Sequence, residues 1–179
     1  MLTPVPFWYL RHGETDWNAQ GVSQGSIDIP LNATGIAQAK AAAEQMVGLG
    51  IRTIVASPLS RARVTAEIVA EKLGLPVAID PDLREVNWGV QEGKPMAEWF
   101  SDWAYNGYAP EGGETLDALQ TRAVAGVNRA VLNPAEVLIV AHGALFRAIR
   151  RAMGVDWNRR TQNAVPMRCA PSGEGWTIE

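Results

Sequence analysis

Cysteine is nearly absent. Cys169 is the only one in 179 residues, which excludes an internal disulfide and any Cys-rich zinc or iron–sulfur centre. A basic excess is also missing: 16 Lys and Arg stand against 19 Asp and Glu, a net charge of −3, which argues against a nucleic-acid partner. The longest apolar runs, near Val5–Leu10 and Val137–Ala141, fall far short of the ~20 residues a membrane helix needs. The first ten residues, MLTPVPFWYL, lack the basic start of a secretory signal. The expectation is a cytoplasmic protein with neither a membrane nor a nucleic-acid partner. Repeats and low-complexity tracts are absent too, so nothing marks a second domain.

What is present is ordinary for a globular chain, at 47% hydrophobic and 20% charged. Domains average about 150 residues, so residues 1–179 are expected to form one domain. Lysine is rare, with Lys40, Lys72 and Lys94 against 13 arginines. Arginine's planar fork suits phosphate and carboxylate, although genomic base composition is the plainer explanation of such an excess.

Strand and helix patterns alternate. Val5–Leu10, Arg52–Ala56 and Glu136–Ala141 read as buried strands, and Val77–Ile79 as a shorter one. Residues 33–48, Leu59–Leu73, Glu114–Leu132 and Ala144–Met153 carry helical spacing, with Asn32 or Thr34 to start the first and Gly74 to end the second. The stretch 80–113 is irregular and rich in Trp, Gly and Pro, with a short helix expected at Pro95–Ala104, and two weak strands follow near Val165–Cys169 and Trp176–Ile178. This predicts an α/β three-layer sandwich, a mostly parallel central sheet flanked by helices.

Three of these strands end in polar residues: Arg11-His12-Gly13-Glu14, Ser57-Pro58-Leu59-Ser60-Arg61 and His142-Gly143. Ligands in open α/β sheets bind beyond the carboxyl ends of strands. Parallel neighbours would therefore bring Arg11, His12, Arg61 and His142 together. The only two histidines lie 130 positions apart, yet both fall at such an end. A histidine pair could hold a metal given a carboxylate, but an adjacent guanidinium disfavours a cation. The arginines favour an anion, and phosphate is the natural one. Gly13, Gly25 and Gly143 would let backbone approach it closely.

LRHGETDWN at 10–18 resembles the signature of the histidine phosphatase superfamily, also called phosphoglycerate-mutase-like. Further blocks follow in that family's order: QGSIDIPLNATG at 24–35, SPLSRARVTAEIV at 57–69, LREVNWGVQEG at 83–93, PEGGET at 110–115 and VAHG at 140–143. The family often has Trp where Gln91 stands before Glu92-Gly93, a departure that leaves the subfamily open.

The resemblance implies roles. His12 would be the nucleophile that forms a phosphohistidine, splitting hydrolysis into two steps. Arg11, Arg61 and His142 would surround the phosphoryl oxygens. Glu85 would protonate the leaving alkoxide and then take a proton from water. Asn18, Gln24, Gly25 and Gly143 would line the phosphate pocket. Glu114 reads equally as a first-turn helix acid, Glu14 as a brace for its loop, and Asp28 as the end of a turn. No cofactor and no metal are expected, and the partner would be a small phosphorylated metabolite. Glu85 and His142 are 57 positions apart, a shorter segment than a mutase's substrate cover requires. This favours hydrolysis over mutase-type phosphoryl transfer or a silent phosphate-binding module. Nothing in the sequence fixes the natural substrate or the oligomeric state, and a homodimer stays open. Residues 87–113 would form a lid-like insertion. Its rings, Trp88, Trp99, Phe100, Trp103, Tyr105 and Tyr108, would either wall the pocket for a bulky leaving group or fill a local core or dimer contact.

Overall fold

Alternating apolar runs become strands because successive side chains point to opposite faces of a sheet. A computed structural model describes residues 1–173 and 175–179. Along the chain run β1 (Phe7–Arg11), α1 (Asp16–Gln20), α2 (Ala33–Met46), β2 (Thr53–Ala56), α3 (Ser60–Leu73), β3 (Val77–Ile79), α4 (Trp99–Tyr105), α5 (Leu116–Ala130), β4 (Val137–Ala141), α6 (Gly143–Met153), β5 (Met167–Ser172) and β6 (Gly175–Ile178). The sheet order is β3-β2-β4-β1-β5-β6. β3, β2, β4 and β1 are mutually parallel, while β5 and β6 join antiparallel at one edge. This is the expected α/β sandwich.

β4 lies at the centre with all five residues buried. Val137, Ile139 and Ala141 face one core, shared with Leu119, Val127, Phe146 and Ile149 of α5 and α6. Leu138 and Val140 face the other, shared with Ala42, Met46, Ala66 and Val69 of α2 and α3. Each large aliphatic chain buried in this way contributes about 1.5–3 kcal/mol. The small Ala faces of α2 and α3 let those helices lie close to each other and to the sheet.

Several boundaries differ from the sequence reading. α1 was not legible because it buries no residue and so has no apolar period. It forms instead through a reciprocal cap: Thr15 Oγ1 accepts from Asn18 N at 3.1 Å, and Asn18 Oδ1 accepts from Thr15 N at 3.2 Å. α4 begins at Trp99 rather than Pro95, and β5 runs on to Ser172. Asp28 does more than end a turn. α3 has no cap from its own N-cap residue, Leu59, and Asp28 Oδ1 supplies one by accepting from Ser60 N at 2.7 Å.

The ring-rich stretch mostly builds core. Trp103 is fully buried, its Nε1 donates to the Glu114 carbonyl at 2.9 Å, and it packs edge-on against Trp88 at 4.6 Å between ring centroids. Trp99 adds a second edge-on contact to Trp88. Tyr105 and Tyr108 are exposed.

Candidate active site

Parallel pairing of β1 with β4, and of β4 with β2, aligns Arg11 with Ala141 and Ala56 with Val140. The three polar strand ends therefore meet at one edge, and the ring centroids of His12 and His142 stand 5.3 Å apart. The loop after β1 reaches this position because two glycines let it press on α2. A side chain on Gly13 would collide with the Gly35 backbone, and one on Gly35 with Glu14. Glu14 braces the same contact, accepting from Asn32 Nδ2 at 3.0 Å.

His12 is buried, and its Nδ1 lies 2.6 Å from the Gly13 carbonyl. A carbonyl only accepts, so Nδ1 carries the proton and Nε2 keeps its lone pair. Burial, together with the Arg11 and Arg61 charges, holds the His12 pKa well below its ordinary value of 6.5. At neutral pH it is a free imidazole base.

His142 is fully buried. Its Nε2 lies 2.7 Å from Ser57 Oγ, which itself accepts from Leu59 N at 3.3 Å. Nε2 and the Ser57 hydroxyl are thus paired. Nδ1 is buried and has no partner among the described residues. Burial and then Arg61 hold this imidazole neutral as well. Tyr9 fixes the turn, its hydroxyl donating to the His142 carbonyl at 2.8 Å and accepting from His142 N at 3.1 Å.

The two arginines are locked by carbonyls rather than by acids. Arg11 Nη1 donates to Thr161 O at 2.6 Å, and Arg61 donates to Ile27 O at 2.8 Å and Gly25 O at 2.7 Å. Burial pulls the Arg61 pKa down to about 10, which leaves it cationic at neutral pH. Their charges are therefore not cancelled by an ion pair among the described residues, and both Nε atoms lack partners there. Such a pair is a preorganised anion holder. Gly143 makes room for it, since a Cβ there would come within 3.3 Å of Arg11 Nε.

Glu85 faces the same place. Its carboxylate accepts from Ala144 N at 3.0 Å and Leu145 N at 2.9 Å, at the start of α6, where the helix dipole favours negative charge. A cavity of about 460 Å³ is lined by Arg11, His12, Arg61, Glu85 and Gly143. Asn18, Gln24 and Gly25 line it too. His142 does not form part of the wall. Asn18 and Gln24 use one oxygen each in holding Thr15.

Sequence reading missed several contributors. Arg122 donates to the carbonyls of Asp82, Arg84 and Glu85 at 2.9, 2.6 and 2.9 Å, and is held by Glu114 at 2.6 Å. Glu114 is thus outside the cavity and acts through Arg122. Asn163 Nδ2 donates to the His12 carbonyl at 2.9 Å. Glu92 ties the two loops together, accepting from Ser26 N at 2.7 Å and Trp88 N at 3.3 Å. Arg147, Arg159 and Arg160 line the cavity, as do Trp88 and Phe100; nothing in their spacing marked the three arginines. No group of three or more His, Cys, Asp or Glu that could hold a metal ion gathers among the described residues.

A model of the histidine phosphatase superfamily (branch 1) matches residues 7–178. The chain is similar to the uncharacterized phosphatase PhoE of Bacillus subtilis, 46% identical over 143 residues covering 78% of this chain and 72% of that protein. It is 38% identical over 146 residues to the probable phosphoglycerate mutase GpmB of Yersinia enterocolitica, covering 75% and 67%. In three dimensions it resembles a mycobacterial glucosyl-3-phosphoglycerate phosphatase complexed with VO3, with a TM-score of 0.85, 30% identity, and 98% and 97% of the two chains covered.

Proposed function

Since this chain belongs to the histidine phosphatase superfamily (branch 1) and is a phosphomonoester hydrolase, we propose that hydrolysis runs through a phosphohistidine on His12. The observation that carries this reading is the free Nε2 of a neutral His12 in a cavity shared with the cationic Arg11 and Arg61. Nε2 attacks phosphorus, and the bond from phosphorus to the leaving oxygen breaks. Glu85 gives that oxygen its proton. Water then attacks the phosphohistidine and passes a proton to Glu85. The P–N bond breaks, restoring the imidazole and releasing inorganic phosphate.

Charge builds on the phosphoryl oxygens in both steps, and stabilising it is most of what such catalysis requires. Arg11 and Arg61 do so as fixed cations, while His142, its ring centroid 5.3 Å from that of His12, stays buried outside the wall. Asn18, Gln24 and the backbone near Gly25 and Gly143 hold the group in line. The arginines supply the positive charge, so chelation of divalent ions is expected to leave turnover unchanged. The substrate is a small phosphorylated metabolite, and the protein works in the cytoplasm.

The test is rapid quenching with an ester labelled in its phosphoryl group. Acid-labile, base-stable label on the wild type, absent in His12→Asn, is the expected result. Acid-stable label, or full turnover by His12→Asn, would overturn the assignment.

A further inference from the structure

Tyr105 and Tyr108 are exposed, whereas Tyr9 has no exposed surface. It stands on β1, one residue before the LRHGETDWN block, so no motif marks it. Its ring stacks on Phe146 of α6, 4.0 Å between centroids and 14° between planes. That packing accounts for the ring but not for the hydroxyl, since a polar group in a core is unfavourable unless it is bonded.

Both bonds of the hydroxyl go to one residue, His142, donating to its carbonyl at 2.8 Å and accepting from its N–H at 3.1 Å. The pairing of β1 with β4 ends at Arg11 and Ala141, with His12 N donating to the Ala141 carbonyl at 3.0 Å. One residue beyond, the Tyr9 side chain does what a further rung would do. Burial, and next the Glu85 charge, raise the Tyr9 pKa well above its ordinary value of 10, so the phenol keeps the proton it donates. His142 is the N-cap of α6, and its own side chain caps nothing. Its carbonyl also takes the first bond of that helix, from Phe146 N at 3.1 Å. Between these two anchors, Ala144 N and Leu145 N donate to the Glu85 carboxylate at 3.0 and 2.9 Å. Tyr9 therefore holds the first turn of α6 on either side of the amides that hold Glu85, by its hydroxyl at His142 and by its ring at Phe146.

We propose that Tyr9 is a positioning residue for the reaction: from the strand that leads into His12, its hydroxyl fixes the first turn of α6 and so sets where Glu85 carries its proton relative to the leaving oxygen. This rests on the reading of Glu85 as proton donor given above. The nucleophile and the acid are thereby placed against each other through one phenol. A small displacement of a reacting group is enough to slow a step roughly 10- to 100-fold.

Tyr9→Phe keeps the ring and its stack on Phe146 and removes only the hydroxyl. The test is a double-mutant cycle of Tyr9→Phe with Glu85→Gln, following kcat and KM for an alkyl phosphate and an activated aryl phosphate. Tyr9→Phe is expected to lower kcat for the alkyl ester roughly 10- to 100-fold, the aryl ester much less, with KM nearly kept. In the Glu85→Gln background the same change should lower kcat less than about twofold, because the proton being positioned is already gone. Equal losses for both esters, or the same loss in both backgrounds, would overturn the proposal. His12 and His142 are the only histidines, so their ring signals in NMR spectra are read one by one. Tyr9→Phe should shift the His142 signals and leave those of His12 in place, and an unmoved His142 would also overturn the proposal. If Glu85→Gln itself lowered both esters equally, the proton-donor reading would fall, and the hold on α6 would be judged by the histidine signals alone. Should Tyr9→Phe not fold, amide exchange of wild-type His142 decides: protection like that of β4 supports the hold, and exchange as fast as an exposed loop overturns it.

Discussion

Arg122 donates to the main-chain carbonyl of Glu85 at 2.9 Å, while the side chain of Glu85 points the other way and accepts from α6. One residue is thus fixed at both ends, by a guanidinium on α5 and by the first turn of α6. The guanidinium is in turn held by both oxygens of Glu114, at 2.6 and 2.8 Å. Three carbonyls of the 82–85 segment converge on it. Lysine offers one point donor in place of a fork.

Arg122→Lys is therefore expected to lower kcat about 10-fold or more for esters of alkyl alcohols and much less for an activated aryl phosphate, because displacing a proton donor matters only where a proton is needed. KM should move little. Loss of both activities in proportion to loss of folded protein would reduce Arg122 to a structural brace.

Glu85→Gln separates proton transfer from capping. The amide keeps one oxygen to accept from the start of α6 but turns an NH2 donor toward the other N–H, so the stability cost should be about 1–3 kcal/mol. Turnover of poor leaving groups should fall roughly 10²- to 10⁴-fold, with the activated aryl ester least affected. Equal losses across a leaving-group series, measured alongside thermal melts, would mean that Glu85 serves folding or binding instead.

Within the aromatic cluster, two neighbouring rings should behave oppositely. Trp103 is fully buried and hydrogen-bonded to the Glu114 carbonyl. Its replacement by Ala is expected to cost about 3–5 kcal/mol of stability, without changing the relative rates of small and bulky esters in what remains folded. Phe100 borders the cavity beneath Arg147. Phe100→Ala should raise KM, more for bulky esters than for small ones, with kcat nearly kept. An unchanged melting temperature for Trp103→Ala, or a KM effect blind to leaving-group size for Phe100→Ala, would show the roles to be misassigned.

The contrast between these rings explains what a sequence can disclose. β4 is legible because all five of its residues are buried, so its apolar run needs no context. His12 and His142 are legible because each follows directly from a strand whose end sets its position. Trp88 and Trp103 have the same composition and neighbourhood, yet only Trp88 borders the cavity. That difference arises where α4 folds back on the 85–93 segment, and no local period encodes it. Arg122 is hidden for the same reason. It sits on α5 three residues after Leu119 and four before Gly126, both buried, but a charged residue at the edge of an apolar face does not say what covers it, and only tertiary structure brings 82–85 against it. Arg159 and Arg160 lie outside the motif blocks, and it is the bonds to Thr161 and Asn163 that bring them to the cavity.

The histidine pair also sets a pH dependence of stability. Both imidazoles have folded-state pKa values well below 6.5, burial being the main cause and the arginine charges the next. In the unfolded chain they titrate near 6.5. Between the folded values and 6.5 the unfolded state binds more protons, so stability rises with pH in that window. It is fully present above about 6.5 and is lost as pH falls below it, with a slope of up to ~1.4 kcal/mol per pH unit for each histidine. Asp80, whose pKa is lowered from 3.8 by its bonds to Arg129 and Asp82 N against the opposing effect of burial, acts only in a more acidic window. Melting temperatures should therefore decline as pH falls below about 6.5 in wild type, and His12→Asn/His142→Asn should flatten that decline while leaving the more acidic fall, where Asp80 protonates, in place. A double variant that loses stability as steeply as wild type across the upper window would show that the histidines are not the groups responsible.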